Sequence, residues 1–184
     1  DTVRKNVKPV KEEKDPSIHL PDSSFRYNLD EANSKFKLSK KLKEISGMTC
    51  FDDKWLIAVQ DERGAMYVIN METGEIKEIV EFSADGDYEG IACKGDVFYA
   101  LRADGVLFEI HNWNNKEKIT TKVIDTNLGE INDTEGIAYD PKRNDLIIAC
   151  KGSYVIGEVK NKSRAVYAYD LDEEAFNVEP IIRI

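Results

Sequence analysis

Short apolar runs separated by polar turns recur along the chain from about residue 45 onward. In three places a five-residue apolar run follows a turn rich in Asp, Lys and Gly, at residues 55–59, 97–101 and 146–150, each with alanine in fourth place. After a further turn comes another strand-like run, at residues 66–69, 106–110 and 166–169. Runs of this length between turn residues predict β-strands. No stretch keeps a helical period with caps for twelve residues, so we predict an all-β fold.

The predicted strands fall into three repeats, and each repeat opens on a similar short motif. The motifs centre on Gly47, Gly90 and Gly136, and the last two share the sequence Glu-Gly-Ile-Ala. A more charged run closes each repeat, at residues 76–82, 119–124 and 178–184. Four strands in about 40–45 residues predict one blade of a β-propeller. The blades are expected at about 45–82, 88–124 and 134–184, and a β-sandwich is the alternative.

Three blades do not close a ring, because propellers typically have about four to eight. The segment before the first repeat offers one more outer strand, around residues 25–29 or 35–38. We therefore expect a propeller domain at residues 25–184 that forms about half of a six-bladed ring within a longer protein. Assembly of the ring from a second copy is the alternative.

Charge is distributed unevenly along the 184 residues. Residues 1–43 hold 11 Lys and Arg against 7 Asp and Glu, whereas the rest of the chain holds 15 against 28. Residues 1–24 are poor in aromatic side chains and rich in Lys, Glu and Pro, which predicts a flexible basic tether. The first residue is Asp1 rather than Met, which fits either removal of a secretory or lipid-anchor signal or an arbitrary segment boundary.

These bulk properties exclude some classes of protein. A net charge of -9 argues against binding to a nucleic-acid backbone. No apolar run approaches the roughly 18 residues of a transmembrane helix. Three cysteines cannot all pair internally, so a disulfide scaffold is excluded. Cys50, Cys93 and Cys150 are expected to be small core residues, with a bond between Cys50 and Cys93 as the alternative.

Acidic residues recur at the start of the second and third repeats. Glu89 and Glu135 take the same place in the two motifs, with Asp87 and Asp133 two residues earlier. Propeller symmetry would bring these carboxylates together near the axis, where they would suit a hard cation such as Ca²⁺. The alternative is that they accept backbone N–H groups at the starts of strands.

Basic and acidic residues also follow the apolar strands. Arg102 and Lys151 align with Gln60, and Asp61 follows in the first repeat. Facing the glutamates, these side chains would suit a small ligand that carries a carboxylate or phosphate. The alternative is that Arg102 pairs within the protein with Glu89 or Glu135.

No set of residues for nucleophilic catalysis stands out. The two histidines are His19, before the repeats, and His111, after a strand of the second repeat. With one histidine in the body, a Ser-His-Asp or Cys-His arrangement is poorly supported. Trp113 is expected either as an exposed contact or as a cap over a blade edge, and the insertion at 152–164 either as a cover or as a hairpin extension.

Several of these segments together resemble the SdiA-regulated domain family. The resemblance rests on residues 45–48, 55–64, 86–92, 101–105 and 134–141, and runs from about Tyr27 to the C-terminus. It implies a six-bladed propeller exported from a bacterial cytoplasm to the periplasm or cell envelope, with a lipid anchor as one means of attachment. The family is distantly similar to calcium-dependent lactonase and phosphotriesterase propellers and to NHL-repeat propellers, and in the calcium-dependent ones a glutamate in a similar Glu-Gly context is a metal ligand.

Taken together, these observations favour a binding protein over an enzyme. We expect a small molecule, glycan or protein to bind at the channel face, without nucleic acid and with membrane contact only through an N-terminal anchor. The alternative is a Ca²⁺-dependent hydrolase in which the metal polarises a carbonyl or phosphoryl oxygen. No catalytic residue is assigned.

Overall fold

A computed structural model describes residues 31–32, 34–153, 155–156, 159–160 and 163–184. The chain divides into two units, Asp1–Lys35 and Phe36–Ile184. In the first unit the structure describes residues 31, 32, 34 and 35, none of them in a helix or strand. The tether predicted at 1–24 and the strand predicted at 25–29 lie outside the described residues. The other predicted outer strand, at 35–38, is wrong, because these residues form no ladder with a neighbouring strand.

The second unit is built from three antiparallel sheets that follow one another along the chain. Sheet 1 contains β1 (Ile45–Phe51), β2 (Trp55–Gln60), β3 (Arg63–Asn70) and β4 (Ile76–Glu81) in that order. Sheet 2 contains β5 (Tyr88–Lys94), β6 (Val97–Arg102), β7 (Val106–His111) and β8 (Thr120–Asp125) in the same order. A short 3-10 helix, η1 (Lys40–Leu42), precedes sheet 1. The predicted all-β class is confirmed.

Sheet 3 repeats this order with a broken outer edge. Its strands β9 (Thr134–Asp140), β10 (Asp145–Cys150) and β13 (Ala165–Asp170) pair in series, and the short strands β14 (Ala175–Phe176) and β15 (Ile182–Arg183) both pair with β13. The single fourth strand predicted at 178–184 is therefore wrong. Pro180 has no N–H to donate to a ladder, which accounts for the break between β14 and β15.

The insertion between β10 and β13 contains a small hairpin of its own. Its strands β11 (Val155–Ile156) and β12 (Val159–Lys160) pair only with each other. The structure thus agrees with the hairpin alternative for residues 152–164.

The second strands of sheets 1 and 2 are apolar because they are buried on both faces, whereas β10 of sheet 3 alternates buried and partly exposed residues. In β2 and β6 the residues from Ile57 to Val59 and from Phe98 to Leu101 are at most 4% exposed. One core fills the space between sheets 1 and 2, and another fills the space between sheets 2 and 3. Trp113 closes the first core from the β7–β8 loop, with its ring centroid 5.3 Å from that of Phe51 and 5.7 Å from that of Phe98.

The glycines of the repeated motifs mark the closest approach of neighbouring sheets. A Cβ on Gly47 would lie 2.6 Å from Gly90 Cα, and a Cβ on Gly90 would lie 2.9 Å from Ile137 Cγ2. Only a residue without a side chain fits at these points. Gly136 takes the same place in sheet 3, but there a Cβ would meet only Ala149 Cβ, at 3.6 Å.

Strand register corrects two alignments made from the sequence. Ala58 lies opposite Met48 and Ala100 opposite Ile91, but the corresponding partner of Ile137 is Ile148, one residue before Ala149. By the same shift Cys150, not Lys151, occupies the place of Gln60 and Arg102. The cause is that β10 begins at Asp145, one residue before its apolar run.

All three cysteines are free thiols, so the alternative bond between Cys50 and Cys93 is wrong. Cys93 Sγ instead donates to the Cys50 carbonyl oxygen at 3.3 Å. Cys150 is 5% exposed in the core between sheets 2 and 3, and this burial raises the pKa of its thiol to about 11.

Candidate functional site

The candidate site lies between sheets 2 and 3, where β5 and β9 begin and β6 and β10 end. Backbone hydrogen bonds join these strand ends, one within sheet 2 and one between sheets 2 and 3. Ala103 N–H donates to the Asp87 carbonyl at 2.8 Å, and Thr134 N–H donates to the Ala103 carbonyl at 2.9 Å. The buried Thr134 hydroxyl also donates to the Arg102 carbonyl at 2.8 Å. The acidic residues that flank these bonds are thereby held close together.

Glu89 is the carboxyl group most affected by this arrangement. Partial burial, a hydrogen bond with the Asp87 side chain and the negative charge of Glu135 together raise the pKa of Glu89 to about 7. The Lys151 ammonium acts in the opposite direction but is outweighed. Near neutral pH, Glu89 is therefore protonated in a large fraction of molecules and can donate as well as accept a hydrogen bond.

Lys151 is paired with the other two acidic residues. Its Nζ lies 2.5 Å from Glu135 Oε1 and 3.5 Å from Asp133 Oδ2. The hydrogen bond to Glu135 and the charges of both carboxylates raise the pKa of Lys151. Asp133 adopts a left-handed backbone with φ 48°, a conformation that Asp and Asn tolerate better than most residues.

Arg102 is bound within its own turn. Its Nε and Nη2 donate to Asp104 Oδ1 and Oδ2 at 2.9 and 2.8 Å, a bidentate pair. This pair lowers the pKa of Asp104. The guanidinium carbon also lies 5.4 Å from the centroid of the Phe108 ring. The pairing of Arg102 with Glu89 or Glu135, expected as an alternative, is wrong.

A cavity of about 470 Å³ opens beside these residues. Asp87, Arg102 and Asp133 line it, together with the acidic Asp104 and Glu130 and the small residues Gly86 and Ala103. The structure therefore brings Asp87, Glu89, Asp133, Glu135, Arg102 and Lys151 to one region. Glu89, Glu135 and Lys151 lie next to the cavity rather than on its wall.

Asp61 lies at the corresponding turn of sheet 1, outside the cavity wall. Its carbonyl accepts from Tyr88 N–H at 3.1 Å, which repeats the bond between Ala103 and Thr134. Among the described residues, Asp61 Oδ1 is the buried side-chain oxygen that has no hydrogen-bond partner. Ser46, which takes the place of Glu89 in sheet 1, donates its hydroxyl to the Tyr88 carbonyl at 2.5 Å.

The four predicted metal ligands do not fit a calcium site. Calcium requires about six to eight oxygen ligands. Here Glu135 and Asp133 are both paired with the Lys151 ammonium, whose positive charge opposes a cation at the same carboxylates. Within the described ranges, no group of three or more His, Cys, Asp or Glu side chains is placed to hold a metal ion.

Two acidic residues of the cavity wall, Asp104 and Glu130, are not among the site residues predicted from the sequence. Asp104 follows Arg102 by two residues in a turn, and this spacing could have predicted their bidentate pair. Glu130 lies in the connection between β8 and β9, and the folded arrangement of sheets 2 and 3 brings it to the cavity. His111, the histidine of the repeats, lies 2.9 Å from Glu109 Oε1 at the far end of β7.

Comparisons with known proteins inform the fold alone. No protein-family model and no curated protein matches the sequence. Hydrazine synthase from Kuenenia stuttgartiensis superposes with a TM-score of 0.54 at 16% identity, over 80% of this chain and 38% of the other. The extracellular domain of a hybrid two-component system protein from B. thetaiotaomicron superposes with a TM-score of 0.46 at 15% identity, over 72% and 15%. The chain thus spans well under two thirds of either structure.

The part of the chain that the structure describes contains no helix long and apolar enough to cross a membrane.

Proposed function

We propose that this chain is a segment of a β-propeller that binds a small hydroxyl-rich ligand, such as a glycan unit, between sheets 2 and 3. The observation that carries the proposal is the cavity of about 470 Å³ lined by Asp87, Arg102 and Asp133. Its volume lies within the roughly 300–1,000 Å³ of typical ligand pockets. An exported, envelope-side location stays a prediction from the family resemblance.

The propeller architecture is supported by the way that the sheets repeat. Each sheet is a four-stranded antiparallel unit or a variant of one, and neighbouring sheets pack through the same glycine position. Likeness to part of hydrazine synthase supports an all-β repeat of this kind. A β-sandwich would instead pack two sheets face to face around one core.

The charge balance of the site favours a neutral or cationic ligand that is rich in hydrogen-bond donors. Arg102 is matched by Asp104, and Lys151 is matched by Glu135 and Asp133. Both cations are therefore already neutralised, which disfavours the carboxylate or phosphate ligand expected from the sequence. The remaining carboxylate oxygens are acceptors, which is what sugar hydroxyls and amines require.

We do not propose the hydrolase alternative. Two of the carboxylates on which it depends, Glu135 and Asp133, are paired with Lys151, and the residues that line the cavity include neither a cysteine nor a histidine. The arrangement therefore supports recognition rather than a chemical step.

The proposal is tested by a thermal-shift panel of monosaccharides, amino sugars, polyamines and sugar phosphates at 10 mM. A ligand at about 100 times its Kd stabilises the folded chain by about 2.7 kcal/mol, a shift of several degrees. We expect a neutral or amino sugar to raise the melting temperature. The double variant Asp87→Asn with Asp133→Asn should bind that sugar at least tenfold more weakly. The exposed Asp53→Asn in the β1–β2 turn is the control. A shift with sugar phosphates alone, or one unchanged in the double variant, would overturn the proposal.

A further inference from the structure

The connection between β8 and β9, residues 126–133, forms one wall of the candidate ligand cavity. It contributes Glu130 and Asp133 to the lining. Four polar side chains are buried among the described residues, and three of them lie in this connection or directly after it: Thr126, Asn132 and Thr134. The connection between sheets 1 and 2, residues 82–87, contains none of the four. Buried polar side chains are therefore concentrated where the cavity wall is formed.

Two of these side chains attach the connection to sheet 2. The Thr126 hydroxyl donates to the Gly105 carbonyl at 2.8 Å and accepts the Leu128 N–H at 3.3 Å. The Thr134 hydroxyl donates to the Arg102 carbonyl at 2.8 Å. Both ends of the connection are thus fixed to the end of β6 and the turn that follows it.

Asn132 holds the part of the connection that lies between the two threonines. Its side chain is 5% exposed, its Oδ1 accepts the Gly129 N–H at 3.0 Å, and its Nδ2 donates to the Ser153 carbonyl at 3.5 Å. Its backbone N–H donates to the Gly129 carbonyl at 2.8 Å, and its carbonyl accepts the Gly152 N–H at 2.9 Å. Asn132 therefore closes the turn at residues 129–132 and joins it to the start of the insertion in sheet 3.

Asp133 is the cavity residue that this turn holds in place. Its backbone is left-handed, with φ 48°, a conformation that persists outside glycine only where the surrounding structure imposes it. The Asp133 N–H donates to the Glu130 carbonyl at 3.2 Å, and the Asp133 carbonyl accepts the Lys151 N–H at 2.8 Å. Because Asn132 directly precedes Asp133, losing the Asn132 side-chain bonds would free the backbone that orients the Asp133 carboxylate.

We propose that Asn132 is the positioning residue of the ligand site. It does not line the cavity, but it fixes the turn that places Glu130 and Asp133 on the wall. A wall that is already ordered loses less conformational entropy when a ligand binds, which raises affinity. Buried polar networks whose members are all hydrogen-bonded give a local structure this rigidity. The inference rests on the proposed function, because it assigns a role in binding at the same cavity.

Titration of the full chain with glucosamine and with glucose, followed by amide chemical shifts, tests this role. Asn132→Ala removes both side-chain bonds, and we expect it to raise the Kd of the bound sugar at least tenfold. Asn70→Ala is the matched control, because Asn70 Oδ1 accepts the N–H groups of Glu72 and Thr73 at 2.8 and 3.0 Å in the β3–β4 turn of sheet 1. The control should leave the Kd within about twofold of that of the unaltered chain.

A second variant separates positioning from folding. The place where a Cβ on Gly129 would lie has nothing within 4 Å, so Gly129→Ala fits without displacing a neighbour. Alanine at this position leaves the freed turn fewer backbone conformations. Added to Asn132→Ala, it should recover about two- to fivefold of the lost affinity. A role of Asn132 in stability alone predicts instead that the melting temperature recovers while the Kd does not change.

Hydrogen exchange without ligand tests the rigidity of the wall directly. Asn132→Ala should speed exchange of the Gly129 and Asp133 amides at least tenfold and leave the amides of β5 and β6 unchanged. Unchanged exchange at these two amides, or an unchanged Kd in Asn132→Ala, would overturn the positioning role and leave the proposed function intact. Failure of the unaltered chain to bind either sugar would overturn the proposed function and this role together.

Discussion

Glu89 shows how two sheets combine to change the chemistry of one side chain. Its carboxyl is hydrogen-bonded with Asp87 on its own sheet and repelled by Glu135 from the neighbouring sheet. Partial burial is the largest cause that disfavours its charged form, and these two interactions add to it, so the pKa of Glu89 rises from 4.5 to about 7. The sequence placed the two glutamates together correctly, but it could not show that Lys151 would be engaged by Glu135 and Asp133.

The raised pKa predicts a specific pH dependence of stability. Because Glu89 binds its proton more tightly when folded, its contribution to stability is fully present below about pH 4.5 and is lost as the pH rises through about 7. We expect Glu89→Gln to flatten the melting temperature between pH 5 and 8 relative to the unaltered chain. Glu117→Gln, exposed in the β7–β8 loop, is the control. If the melting temperature of Glu89→Gln changes with pH as steeply as that of the unaltered chain, the raised pKa of Glu89 is not the cause of the pH dependence.

At the level of the strands, the first strands of neighbouring sheets pack against one another at the glycines of the repeated motif. Gly47 faces the backbone of Gly90, and Gly90 faces Ile137, so the repeated motif read from the sequence corresponds to a repeated contact. The equivalent Gly136 lies on the outer side of sheet 3, where among the described residues no further sheet packs on it. The glycine of the motif is therefore expected to matter more for the stability of the fold in sheets 1 and 2 than in sheet 3.

Two alanine substitutions measure this difference. Gly47→Ala forces a Cβ into the Gly90 backbone at 2.6 Å, and neither backbone can move aside without loss of packing. We expect a cost of about 3 kcal/mol, or roughly 6–12 °C in melting temperature. Gly136→Ala meets only an ordinary contact at 3.6 Å and should change stability by less than about 0.5 kcal/mol. Equal losses in both variants would show that the sheets do not pack through these glycines.

The pattern of apolar runs predicted most strands because sheets 1 and 2 bury their second strands on both faces, and β10 of sheet 3 is apolar although one of its faces is only partly buried. The errors arose where local pattern does not determine pairing. β10 starts one residue before its apolar run, which shifted the alignment of Ala149 and Lys151. Pro180 divided the last strand of sheet 3 into two short ones. Glu130 reaches the cavity wall through tertiary folding, which no local sequence pattern reports.

The second unit as a whole carries its candidate ligand cavity between sheets 2 and 3, where β6 and β10 end. The candidate ligand cavity is lined by four acidic residues and one arginine. A cavity of this charge is expected to select neutral or cationic ligands over anionic ones.

Amide chemical-shift mapping of the full chain, with the best sugar from the thermal-shift panel, tests most directly whether the ligand binds between sheets 2 and 3. We expect the perturbed amides to cluster at residues 86–89, 102–104 and 130–135, with no change at the β1–β2 and β3–β4 turns of sheet 1. Asp87→Asn with Asp133→Asn should abolish the perturbations. Shifts centred on any other part of the chain would contradict the central claim that sheets 2 and 3 form the ligand site.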